Sequence, residues 1–165
     1  MLNRLFMEMI QYYQGDAKRI QHFTKVHAFA KLISEMEHVD DTTRAILETA
    51  AYVHDIGIKP AEMKYGKCNG KLQEQEGPSA AGILLRRLGF DETIVDRVCY
   101  LVAHHHTYTQ IDGIDYQILI EADFLVNLYE DDAGKDTAFS VYKKIFRTRS
   151  GKQICRTMFD LEVDV

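Results

Sequence analysis

The chain has 165 residues, 46% of them hydrophobic and 27% charged, with 20 Lys and Arg against 25 Asp and Glu for a formal charge of −5. That apolar fraction excludes a disordered chain, and the length suits one domain over residues 1–165, at roughly 150 residues per domain. The acidic balance argues against a nucleic-acid surface or an anionic membrane as the main partner, since both select basic patches.

Helical spacing runs through nearly every segment. Residues 2–13 set Leu2, Phe6, Met9 and Tyr13 on one face. Asp16 then offers a cap for a long helix to about Glu37, with Ile20, Phe23, Val26, Ala30 and Ile33 as its stripe. Asp40, Asp41 and Thr42 offer the next cap, and Ile46, Leu47, Ala50, Ala51 and Val53 run to a stop at Gly57. Residues 58–76 read as the longest irregular stretch, and Pro78 as a helix start. That helix ends at Gly89, and Asp91 caps another running into His104, His105 and His106. Two more helices are expected near 115–130 and 134–146, followed by a tail from Arg147 without clear period. The expected fold is all-α, a compact bundle of about six or seven helices. Cys68, Cys99 and Cys155 are odd in number and form no CxxC pair, which suits a reducing cytoplasm better than a disulfide framework. Arg4 and Glu8 interrupt the apolar N-terminus, so no signal peptide is expected, and no apolar window is long enough to span a membrane.

Histidines on apolar stripes carry the chemical signal. His22 aligns with Val26, Ala30 and Ile33, His54 with Leu47, Ala50 and Ala51, and His105 with Val98, Leu101 and Val102. Asp123 aligns with Leu119, Ile120 and Val126. One core imidazole is commonplace, but a carboxylate facing a core costs several kcal/mol unless it is compensated. Three imidazoles and two carboxylates, counting Asp55, converging on a divalent cation would solve that problem. Such a donor set suits Mn, Fe, Mg, Ni or Zn.

The segments RIQHFTKVHAFAKLI, LETAAYVHDIGIK, AHHHTY and ILIEADFLVNLYE together resemble the HD-domain superfamily of metal-dependent phosphohydrolases. The ordered H…HD…D pattern spans roughly residues 16–130, leaving a C-terminal helix and tail over 131–165. The resemblance implies an all-α fold with His22, His54, Asp55 and Asp123 as metal ligands, His27 lying outside the set. Relatives with two metals usually carry another histidine after the doublet, and the segment GKLQEQEGPSAAGILL has none. Glu76 is the nearest substitute, with Glu74 as an alternative. Of the later histidines, helical phase favours His105, then His104, and turns His106 to solvent. Those residues would take a second metal or the substrate phosphate. The sequence reads HDIGIK where many relatives read HDIGK, so Lys59 stands one place further on as the cation for a phosphate oxygen. Arg86, Arg87, Lys64, Lys67 and Lys71 could extend an anion-attracting rim, and Tyr12, Tyr13, Tyr65 and Tyr108 could stack on a base or sugar. The expected activity is hydrolysis of a small phosphate ester or nucleotide, with Asp55, Lys59 and His105 as its catalytic groups. Two alternatives stay open, a di-iron oxygenase of HD type and a non-catalytic, metal-containing nucleotide sensor.

Overall fold

The computed structural model describes residues 1–162, and residues 163–165 of the expected tail lie outside it. The described residues form nine helices and no strand: α1 (Leu2–Tyr12), α2 (Ala17–Met36), α3 (Asp41–Val53), α4 (Ile58–Tyr65), α5 (Gly70–Leu88), α6 (Glu92–His104), α7 (Ile114–Glu130), α8 (Lys135–Ile145) and α9 (Arg149–Met158). The fold is all-α as the periodicity indicated, with α4 and α9 beyond the six or seven expected helices. None of the nine is long and apolar enough to cross a membrane.

Caps set most of the starts. Asp16 accepts from the Arg19 N–H, Asp40 from those of Thr42 and Thr43, and Asp91 from that of Thr93. Gly89, at φ +80°, closes α5 with a Schellman arrangement in which Phe90 N–H donates to Leu85 O. The stretch 58–76 is not irregular. Pro60 falls in the first turn of α4, where its missing N–H costs nothing, and Asn69 caps α5 by accepting from Leu72 N–H. Pro78 therefore lies inside α5 rather than at its start.

Helix α7 runs through the centre, flanked by α2 and α3, while α6 packs on α3 and α5, and α8 and α9 close over α7. Its residues 115–123 are all buried. Three of them are acids, so each needs donors. Asp115 takes a two-pronged ion pair from Arg97, both contacts at 2.8 Å. Glu121 accepts from Gln117, from the backbone N–H groups of Arg147 and Thr148, and from the Thr148 hydroxyl. It thereby fixes the start of α9. Asp123 belongs to the site.

Candidate metal centre

The apolar stripes of α2, α3 and α7 are buried, and they carry His22, His54 and Asp123 inward with them. His22 Nε2 lies 3.1 Å from Asp123 Oδ1 and 3.3 Å from His54 Nε2. Asp55, in the turn after α3, sets Oδ2 3.5 Å from both of those imidazoles and Oδ1 3.5 Å from His105 Nε2. His54 and His105 are almost fully enclosed, whereas the Asp55 side chain is 21% exposed. Asp55 is thus the member of the cluster that solvent reaches most easily.

The outer ring nitrogens fix what the inner ones can do. His22 Nδ1 donates to Glu130 Oε2 at 2.9 Å, His54 Nδ1 to Ala51 O at 2.9 Å, and His105 Nδ1 to Val102 O at 2.8 Å. Each neutral imidazole therefore turns an Nε2 lone pair toward the two carboxylates. Two lone pairs 3.3 Å apart repel unless a proton or a cation stands between them. The anchored Nδ1–H pattern is also what orients imidazoles on a metal. A divalent cation fits this donor set, with His22, His54 and Asp123 close enough together to share one.

Without a cation, protons do part of that work. Burial opposes charge on His54, but Asp55 and Asp123 outweigh it and raise its pKa to about 9. Burial likewise disfavours the Asp55 and Asp123 carboxylates, yet the surrounding imidazoles hold both well below the usual carboxylate range.

A second group adjoins the first through Asp55, with His105 and His106 as its other members. Gln73 Oε1 stands 2.7 Å from His106 Nε2 and 3.3 Å from His105 Nε2. Burial, then the neighbouring His105, pushes His106 down to about 4, so its ring is neutral near pH 7. This corrects the expected phase. Helix α6 ends at His104, and the tighter turn beyond it swings His106 inward. The Tyr116 hydroxyl bridges the carbonyls of His104 and Thr107 across that turn. Glu74 accepts from His106 N–H and the Thr107 hydroxyl, which pins the turn to α5. His104 instead donates Nδ1–H to Tyr100 O, its ring beside Tyr100, and takes no part in either group.

Other expected residues are also engaged elsewhere. Glu76 pairs with Lys64 and accepts from the Tyr65 hydroxyl, so Gln73, one turn earlier, is the α5 side chain at the cluster. Lys59 donates to Tyr12 O and lies over the Tyr12 ring. Arg86 pairs with Glu92, Arg87 with Glu8 and Lys64 with Glu76, which occupies three of the five cations of the expected rim, while Lys67 and Lys71 are exposed. Tyr13 and Tyr12 hold the doublet's backbone through Asp55 O and Ile56 O. Tyr108 sits 3.4 Å from His106 Nδ1 and packs edge-on against Phe124, at the mouth of the cluster. His27 pairs with Glu48 and stacks on Tyr52, apart from the site. Glu130, seven residues after Asp123 on the same helix, was legible only as part of the ILIEADFLVNLYE pattern and not as the anchor of His22.

Close backbone approach seats α5 against the doublet. A Cβ on Gly57 would meet Gln73 O at 2.5 Å and Gly77 N at 2.7 Å, which only glycine avoids.

Comparison with known proteins gives the same architecture. A solved structure described as a predicted HD superfamily hydrolase, from an uncultured Thermotogales bacterium, superposes with a TM-score of 0.65 at 25% identity, covering 96% of this chain and 83% of that one. No curated protein matches the chain. The HD domain family model matches residues 19–146, a stretch that holds His22, the His54-Asp55 doublet and Asp123 in the family's order. The chain belongs to the HD domain family.

Proposed function

We propose that the protein is a metal-dependent phosphohydrolase acting on a small phosphate ester or nucleotide. The observation that carries this reading is the placement of Asp55, one oxygen toward His22 and His54 and the other toward His105, at the most exposed point of the cluster. Family membership supports it, and the similar solved structure is itself described as a hydrolase.

His22, His54, Asp55 and Asp123 would hold the ion, and Asp55, His105 and His106 offer a second position beside it. The chemistry such an ion supplies is polarisation of a phosphoryl oxygen and acidification of a water. The chain's own groups do the rest. Asp55 stays ionised and can accept a proton from the attacking water. With no ion at the second position, His106 carries an Nε2–H, donated to Gln73 Oε1, that a phosphoryl oxygen could accept in its place. Lys59 has no part in this scheme, being held on Tyr12.

The test is a panel of phosphate esters and nucleotides with Mn, Mg, Co and Ni supplied in turn, comparing wild type with Asp55→Asn. Loss of the proton acceptor should lower the rate roughly 100-fold or more, the usual scale for general-base catalysis. Metal content is measured in both proteins, so that ligand loss is separated from loss of the base. No turnover by wild type with any metal would overturn the proposal in favour of a sensor. An optical di-iron signature would overturn it in favour of an oxygenase.

A further inference from the structure

Residues 137–159 contain six Lys and Arg and no Asp or Glu, leaving 14 Lys and Arg against all 25 acids in the rest of the chain. This basic segment forms most of α8 and the whole of α9, and most of it lies beyond the family match at residue 146. Helix α9 buries Ser150, Gly151 and Cys155. Its opposite face carries Arg149, Lys152, Gln153 and Arg156, spaced three, four and seven residues apart and therefore in line.

That face is concave. With Tyr142 and Arg147 it lines a cavity of about 770 Å³, within the usual size range of small-molecule sites. Among the described residues, Lys152 and Arg156 are half-buried and have no acidic partner within 4.0 Å. Arg147 is aimed by three bonds to the carbonyls of Lys143, Lys144 and Phe146, which fix its guanidinium without neutralising it. Arg149 makes no ion pair within 4.0 Å among the described residues, though its charge, after a bond from Ser150, helps lower the pKa of Glu37. Among the described residues, Lys152 and Arg156 thus bring like charges into one hollow with no acid against them, and an anion removes their repulsion.

We propose that this cavity binds a small polyphosphorylated anion at a site separate from the His–Asp cluster. Three cations spread over about 10 Å of helix suit a chain of phosphates better than a single one. The acidity of the remaining surface would repel a long nucleic acid beyond the cavity, which favours a short ligand. The two sites lie on different sides of α7. Glu121 grips the start of α9, and Asp123, two positions and about 200° further round the helix, faces His22.

The experiment is isothermal titration calorimetry of the full chain with inorganic triphosphate, in a chelator-containing buffer that silences the metal centre. Wild type should bind, with affinity falling steeply as salt rises. Lys152→Ala and Arg156→Ala should each weaken binding roughly tenfold or more, the scale of one charge-assisted hydrogen bond. Arg156→Lys should retain most of the affinity, and Asp55→Asn should bind as wild type does. Melting curves of every variant separate loss of the site from loss of the fold. No binding at millimolar triphosphate overturns the proposal, as does unchanged binding in the Lys152→Ala/Arg156→Ala double variant. Loss of binding in Asp55→Asn would place the anion at the His–Asp cluster instead. Tighter binding of duplex DNA or an acidic peptide through the same residues would make the partner a macromolecule and overturn the proposal too.

Discussion

Adding Mn to chelator-treated protein should raise its melting temperature, and removing His22 should abolish most of the rise. At a metal concentration 100 times the dissociation constant, binding to the native state alone adds about 2.7 kcal/mol. A chain of this size shifts by roughly 2–4 °C per kcal/mol, so wild type should gain about 5–11 °C. His22 supplies one inward lone pair, 3.3 Å from that of His54, and its loss removes a ligand held by Glu130. If His22→Ala weakens binding about 100-fold, the same metal concentration adds only about 0.4 kcal/mol, a shift near 1 °C. His104→Ala should keep the full wild-type shift, because that ring is turned to Tyr100. The measurement is differential scanning calorimetry with and without metal, reading the shift rather than the absolute midpoint. An equal shift in His22→Ala and wild type, or loss of the shift in His104→Ala, would refute the assignment of the donor set.

The metal-free protein should also show its own pH dependence. His54 is raised from 6.5 to about 9 on folding, so its stabilising contribution is complete below pH 6.5 and lost as pH rises through 9. Calorimetry of chelated protein should show the midpoint falling across that window, and metal-loaded protein should resist the fall. Glu121→Ala strips the acceptor from two backbone N–H groups, an amide and a hydroxyl, and should cost on the order of 3 kcal/mol. Denaturant titration checks this, and a loss below about 1 kcal/mol would show that water replaces the carboxylate. Gly57→Ala drives a methyl into the backbone of Gln73 and Gly77 and should cost about 1–3 kcal/mol, read in the same titration.

How far the sequence revealed the site depended on where regular helix stopped. His22 and Asp123 sit mid-helix, and His54 directly follows α3, so the stripe that buries Val26, Ala50 or Val126 also sets the direction of these side chains. His106 lies past the last turn of α6, where a 3.6-residue phase no longer applies, and extrapolating that phase exchanged it with His104. Gln73 was hidden for a related reason. One proline, two glycines and many polar residues make residues 58–76 read as loop, although Asn69 supplies an ordinary cap and α5 simply continues through Pro78. Helix α9 buries only small residues, Ser150, Gly151 and Cys155, and is polar on average, so no run of large apolar side chains announces it. Glu130 and Glu74 work by accepting bonds from residues distant in the chain, which no local pattern records.

The grip of Glu121 on the start of α9 has a consequence for where this fold can be cut. The family match ends at residue 146, one residue before the first N–H that Glu121 accepts. A chain truncated there would keep the whole His–Asp cluster yet leave a fully buried carboxylate on α7 with Gln117 as its remaining donor among those named. It would also uncover the inner face of α8 and the neighbouring part of α2, against both of which α9 packs. Asp123 stands two positions beyond Glu121, so disorder beginning at the uncovered acid would reach this proposed metal ligand within one helical turn. The least piece that can hold the site in shape therefore extends to the end of α9, about a dozen residues beyond the boundary drawn from the family's common pattern.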